Sequence, residues 1–111
     1  MIDKLLEALN ATGVPFVRDA WVNMPAGDYG VIDNVSESYL WADDRPIFRR
    51  TVCSVWLYTR DAGERQLRAV KDALNGCSAV DRYSLNSRTY LDAEDLVRVH
   101  LSVTLRGGAD G

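Results

Sequence analysis

The sequence predicts an α+β domain: a mostly antiparallel β-sheet carrying two α-helices, in the order α-β-β-β-α-β-β. Three observations carry that expectation. Segments 2–9 and 62–75 repeat their apolar residues at the helical period. The segments between and after them alternate at the strand period or run apolar throughout, joined by links of hairpin length. One stretch, Arg49 to Arg60 (RRTVCSVWLYTR), is apolar on both faces and is followed at once by a change of period.

The first helix is read from Ile2, Leu5, Leu6 and Leu9 on one face, with Asp3, Lys4, Glu7 and Asn10 on the other. Gly13 is suited to a left-handed C-terminal position, and Pro15 blocks continuation. Phe16 to Val22 reads as extended, with Phe16, Ala20 and Val22 opposite Val17 and Trp21. After a loop at Pro25 and Gly27, Asp28–Val35 forms the next extended piece. Ser36-Glu37-Ser38 suggests a bend or bulge before Tyr39-Leu40-Trp41, and Asp43-Asp44-Arg45-Pro46 supplies the turn of an antiparallel hairpin spanning 39–57.

In the central strand Thr51, Cys53, Val55 and Leu57 share one face, and Val52, Trp56 and Tyr58 share the other. A strand apolar on both faces is expected at the centre of a sheet, covered twice. Asp61 and Glu64 then stand in the positions of a capping box for the second helix, whose buried stripe is Leu67, Val70, Ala73 and Leu74. Asp61–Arg65 and Glu64–Arg68 are spaced as helical ion pairs. Asn75-Gly76 ends that helix, and Cys77 can fold back on its last turn. Ala79–Leu85 and Arg88–Leu91 are weaker strands about Asn86-Ser87. Past the turn Asp92–Asp95, Val97, Val99, Leu101, Val103 and Leu105 alternate with Arg98, His100, Ser102, Thr104 and Arg106, a strand with one wet face. Residues 1–106 are read as a single domain and 107–111 as a disordered tail.

Bulk composition narrows the function classes. A chain of 111 residues buries about two-thirds of its unfolded surface in one core. A net charge of −3 argues against a nucleic-acid partner, which needs a concentrated cationic surface. Lys4 and Lys71 are the only lysines among many arginines, which fits either genome composition or an interface-rich surface. No apolar run approaches a membrane span, and no secretory signal opens the chain. Cys53 and Cys77 lack metal spacing and are expected to be reduced and buried.

Chemistry-bearing constellations are hard to assemble. His100 lies on a polar strand face beside Arg98 and Ser102, and reads as a solvated strand residue rather than a catalyst. Cys53 sits mid-strand, where a nucleophile is poorly approached. Asp43 and Asp44 supply two hard oxygens, fewer than Mg²⁺ or Ca²⁺ requires, and turn chemistry accounts for them. No glycine-rich phosphate loop occurs in the body of the chain. Tyr39, Trp41, Trp56 and Tyr58 could stack bases, but without a basic groove they read as core and interface residues. The residues therefore predict no enzyme, no cofactor and no metal.

One set of motifs resembles a known family. A short N-terminal helix leads into Gly13-Val14-Pro15; Trp41-Ala42-Asp43-Asp44-Arg45-Pro46-Ile47 is similar to a Tyr-Ala-Asp-x-x-Pro hairpin; Leu57-Tyr58-Thr59-Arg60 is similar to a strand end reading leucine-tyrosine-threonine-lysine, with a helix opening at once. Together, over about Ile2–Leu105, these resemble the tail-completion (tail-terminator, head–tail joining) proteins of long-tailed bacteriophages and prophages. Trp41 in place of tyrosine and the basic pair Arg49-Arg50 depart from the pattern.

The resemblance implies a small α+β subunit of the virion tail, assembled in the host bacterial cytoplasm. It implies a hexameric ring on the tail tube that stops tube growth and docks to the head connector. The partners expected are the chain itself, the tail tube protein and the head connector protein, with no membrane and no specific nucleic acid; the free subunit is compatible with a monomer. Candidate contact residues are Tyr39, Trp41, Asp43, Asp44, Arg45, Arg49 and Arg50, which lie in or beside the hairpin. The competing class is a small-molecule-binding or regulatory α+β domain, which needs a pocket with convergent polar groups.

Overall fold

The computed structural model describes residues 2–21, 23, 25, 27–42, 45–60 and 64–107. Its elements follow the predicted order: α1 (Ile2–Asn10), β1 (Phe16–Arg18), β2 (Tyr29–Ala42), β3 (Arg45–Thr59), α2 (Glu64–Gly76), β4 (Val80–Leu91) and β5 (Leu96–Gly107). The strands form one five-stranded sheet in the order β1-β2-β3-β5-β4, so the Arg49–Arg60 stretch is central as predicted. Only the short β1–β2 pairing is parallel; the other three are antiparallel.

Register decides which side chains share a face. Ile32, Val55 and Leu101 lie opposite one another, and Leu57 faces Val99 in the next row. All five are fully buried. Cys53–Val103 and Thr51–Leu105 extend the same face. Onto it α1 sets Leu5 and Leu9, and α2 sets Leu67, Val70 and Leu74, closing one apolar cluster. Each buried leucine contributes about 1.5–3 kcal/mol relative to exposure, so this cluster is what holds the helices to the sheet.

The expectation that β3 is covered on both sides is corrected here. Both helices belong to the one cluster, and Val52, Trp56 and Tyr58 on the opposite face are only half-buried. The physical reason lies in the side chains. Trp and Tyr carry an apolar body and a polar tip; here Tyr58 stacks on Tyr29 and Trp56 on His100, while Trp56 Nε1 keeps a hydrogen bond to Asp33. The polar side of β5 follows suit: Arg98, His100, Ser102 and Thr104 are half-buried rather than solvated.

Local chemistry explains where elements begin and end. Gly13 closes α1 at φ 92°, as its position suggested. The Asn10 amide then ties helix to strand, with Oδ1 accepting from the Phe16 N–H at 2.8 Å and Nδ2 donating to the Phe16 carbonyl at 3.2 Å. β1 is shorter than the 16–22 expected, because Asp19 turns the chain at φ 73° and its N–H donates to the Ile32 carbonyl at 2.8 Å. Val22 lies outside the described residues. The two pieces expected at 28–35 and 39–41 are one strand interrupted by a bulge, which falls at Asn34 (φ 54°) rather than at 36–38. β4 likewise joins its two predicted pieces across a register shift between Leu85 and Ser87. Asp28 accepts from Thr59 Oγ1 and from the Arg60 N–H, both at 3.0 Å, and so seals the end of β3.

Glu64 at the start of α2 pairs with Arg88 of β4, while the capping residues expected at 61–63 lie outside the described residues. Both cysteines are free; Cys53 is buried and Cys77 is half-buried against the core. Of the expected tail, Gly107 still pairs with Arg49 in the sheet, and residues 108–111 lie outside the described residues.

The molecule is elongated, 52 × 25 × 24 Å, with a radius of gyration of 15.1 Å. A compact chain of ~100 residues has about 13 Å. Pairing of β3 with β5 ends at Arg49–Gly107, whereas pairing with β2 runs on to Ala42–Arg45. Beyond Arg49 the sheet is therefore a two-stranded arm.

Candidate interaction surfaces

The sequence-predicted contact residues fall on that arm. Its backbone register sets Tyr39 opposite Arg49, Trp41 opposite Pro46, and Ala42 opposite Arg45, with Arg50 opposite Ser38 at its base. A second register shift lies between Leu40 and Trp41. Tyr39, Trp41 and Arg45 thus share the projecting ribbon with Arg49 at its root, while Arg50 still pairs with Arg106 of β5 at the base. Asp43 and Asp44 lie outside the described residues. An isolated two-stranded ribbon is marginally stable in water, so an arm of this kind gains from a partner that covers it.

A second surface, which sequence reasoning missed, lies on the helix-free face of the sheet. Register places Tyr29, Tyr58 and Arg98 in one row and Val31, Trp56 and His100 in the next. The Tyr29 and Tyr58 rings stack with centroids 4.8 Å apart, and Trp56 stacks on His100 at 4.1 Å and 9°. The Arg98 guanidinium lies 5.2 Å from the centre of the Trp56 ring. Hydrogen bonds fix the same rings: Trp56 Nε1 donates to Asp33 Oδ1 at 2.8 Å, Trp21 Nε1 donates to the Gly30 carbonyl at 3.0 Å, and His100 Nε2 shares a 3.0 Å contact with Ser54 Oγ.

All of these side chains but His100 and Ser54 line an open groove of about 410 Å³ whose charged groups among the described residues are Asp19, Asp33 and Arg98. Partial burial, and after it the neighbouring Tyr58 and Glu94, pushes the Tyr29 phenol above its ordinary value. The signal that could have found the platform is the cross-strand arithmetic of Trp56 and Tyr58 with Arg98 and His100, visible only once the β3–β5 register is known.

A wider groove of about 600 Å³ runs between the Thr12–Pro15 turn and α2, where Arg65 and Gln66 line it. Among the described residues its one carboxylate, Asp28, is already engaged by Thr59 and Arg60. On the core side, burial drives the Cys53 thiol up to about 11, so at neutral pH it is a protonated packing group rather than a nucleophile. Among the described residues no three His, Cys, Asp or Glu side chains gather in a way that could hold a metal ion.

No protein-family model matches the chain, and no curated protein matches it in sequence. Its fold does match solved structures. A chain from the virion of a native gene transfer agent particle superposes with a TM-score of 0.62 at 16% identity, covering 95% of this chain and 90% of that one. At that identity the likeness establishes a common fold over nearly the whole of both chains.

Proposed function

We propose that this chain is a structural subunit of a phage or phage-like virion: it forms a ring that caps the tail tube, ends tail growth and joins tail to head. The observation that carries this reading is the fold shared, end to end, with a chain of a gene transfer agent virion. Two further features support it. The hairpin that bears the tail-completion-like motif Trp41–Ile47 is the part of the fold that projects beyond the core. Arm and body are also different surfaces of one chain, which is what a heterologous contact closing by rotation into a ring requires.

In this reading the subunit works by geometry alone. Six copies form a ring with the tail tube protein on one side and the head connector protein on the other. Each contact is small and weak, so the free subunit is a monomer and the ring is stabilised when the tube end presents its neighbours together. The test is removal of the chain from a particle-producing host, with tails examined by electron microscopy. Tails of aberrant length without heads are expected. The double variant D43K/D44K, at the turn expected from the sequence, folds but fails to restore joining. Normal tails with heads attached after deletion overturn the function. Normal joining with D43K/D44K overturns the role of the arm tip alone.

A further inference from the structure

We infer that the groove formed by Trp21, Tyr29, Trp56, Tyr58 and Asp33 receives the basic strand of the arm, Arg45–Arg50, from a second copy of this chain. The inference rests on the ring reading above and adds to it the surface on which each neighbour sits.

Three observations select this occupant. The groove is rich in Trp and Tyr, and its rings are locked by the Trp56–Asp33 and Trp21–Gly30 hydrogen bonds and by the Tyr29–Tyr58 stack. Preorganised aromatic platforms are what interface anchors use, because little side-chain freedom remains to be lost. Charge comes second. Asp19 and Asp33 outnumber Arg98 in the groove, while the segment Arg45-Pro46-Ile47-Phe48-Arg49-Arg50 carries three arginines and three apolar residues without a carboxylate. Guanidinium groups combine a planar apolar face for aromatic rings with a fork for carboxylates, so this composition suits that groove. Reach comes third. From Trp56 to Arg49 is seven residues along one strand, about 23 Å at ~3.3 Å per residue. Because arm and groove lie on the same continuous strands, an arm cannot fold back onto its own groove and must enter a neighbour's. Every copy carries one arm and one groove, so the contact repeats without leaving either unmatched except in an open chain.

The experiment is thiol cross-linking inside assembled particles. In a Cys77→Ser background, with buried Cys53 retained, one subunit carries Val31→Cys or Arg98→Cys in the groove, and a second carries Arg49→Cys or Arg50→Cys on the arm. Both are expressed together in the particle-producing host, particles are purified, and a short bismaleimide is added before denaturing electrophoresis. Groove–arm dimers are expected only when both partners bear thiols, and Tyr58→Ala in the groove subunit lowers their yield. Particles that contain both variants without groove–arm dimers, or with groove–groove dimers, overturn the inference and leave the ring reading standing, the groove then being covered by another protein or by its own twin. Absence of the wild-type chain from particles overturns the ring reading, and this inference with it.

Discussion

Gly30 is where the sheet depends on a missing side chain. It lies in β2 opposite Phe16 of β1, and a Cβ built there would stand 2.0 Å from Phe16 Cε2 and 2.3 Å from Cδ2. Carbon atoms in contact prefer ~3.5–4.0 Å, so Gly30→Ala forces the ring or the backbone to move by about 1.5 Å. Overpacking of this kind costs about 1–3 kcal/mol, and full loss of a buried phenylalanine's packing sets an upper bound of ~3–5 kcal/mol. Phe16 is only 5% exposed, so its ring moves at the expense of core packing and a loss of about 2–3 kcal/mol is expected. In a domain this size that lowers Tm by roughly 10–15 °C. The assay is urea denaturation of four proteins: wild type, Gly30→Ala, Phe16→Ala, and the double variant. With the ring gone, the added methyl meets open space and Ala is the better strand residue, so Gly30→Ala in the Phe16→Ala background is expected to be neutral or stabilising by up to about 1 kcal/mol. Equal costs in both backgrounds, or a cost below ~0.5 kcal/mol in wild type, would refute the close approach as the cause.

Three other perturbations follow from single side chains. Thr51 is 2% exposed and its Oγ1 has no hydrogen-bond partner, so Thr51→Val removes a buried hydroxyl and is expected to stabilise by up to about 1 kcal/mol in urea; a clear loss would show a hidden partner. His100→Ala removes the stack on Trp56 and the contact to Ser54, and costs about 1–2 kcal/mol where a solvated residue would cost under ~0.5. For Cys53 the raised folded value means that the protonated thiol is favoured by folding. Its stabilisation is complete below the unfolded value near 9.0 and is lost as pH rises toward about 11. At pH 8 Cys77 therefore reacts with a thiol reagent first, and Cys53 only on unfolding; rapid modification of Cys53 in the native protein contradicts its burial.

Periodicity carried most of the architecture, because it reports faces directly. Val99, Leu101, Val103 and Leu105 of the last strand and Leu67, Val70 and Leu74 of the second helix are buried as expected, while Val97 and Ala73 at the same spacings are half-buried. What periodicity does not encode is where a strand stays continuous through an irregularity. Asn34 and Asn86 each absorb a residue within one strand, so a pause in the alternation is a bulge rather than an end. Asp19 hid the opposite case, since one residue at positive φ cuts an apparently extended run to three residues. The two-faced reading of β3 failed for a different reason. Counting Trp56 and Tyr58 as apolar ignored their polar tips, which Asp33 and partial exposure satisfy without a covering layer. The hairpin was legible from its turn residues, but its projection and the groove were not, because both exist only through long-range register.

The ring reading is tested most directly by a reconstruction of the particle itself. Cryo-electron microscopy of virions from the native host is predicted to show this chain as a ring of six copies between tail tube and head connector, each arm projecting toward a neighbouring surface. Density at that junction built from another protein, with this chain absent from the purified particle, would contradict it.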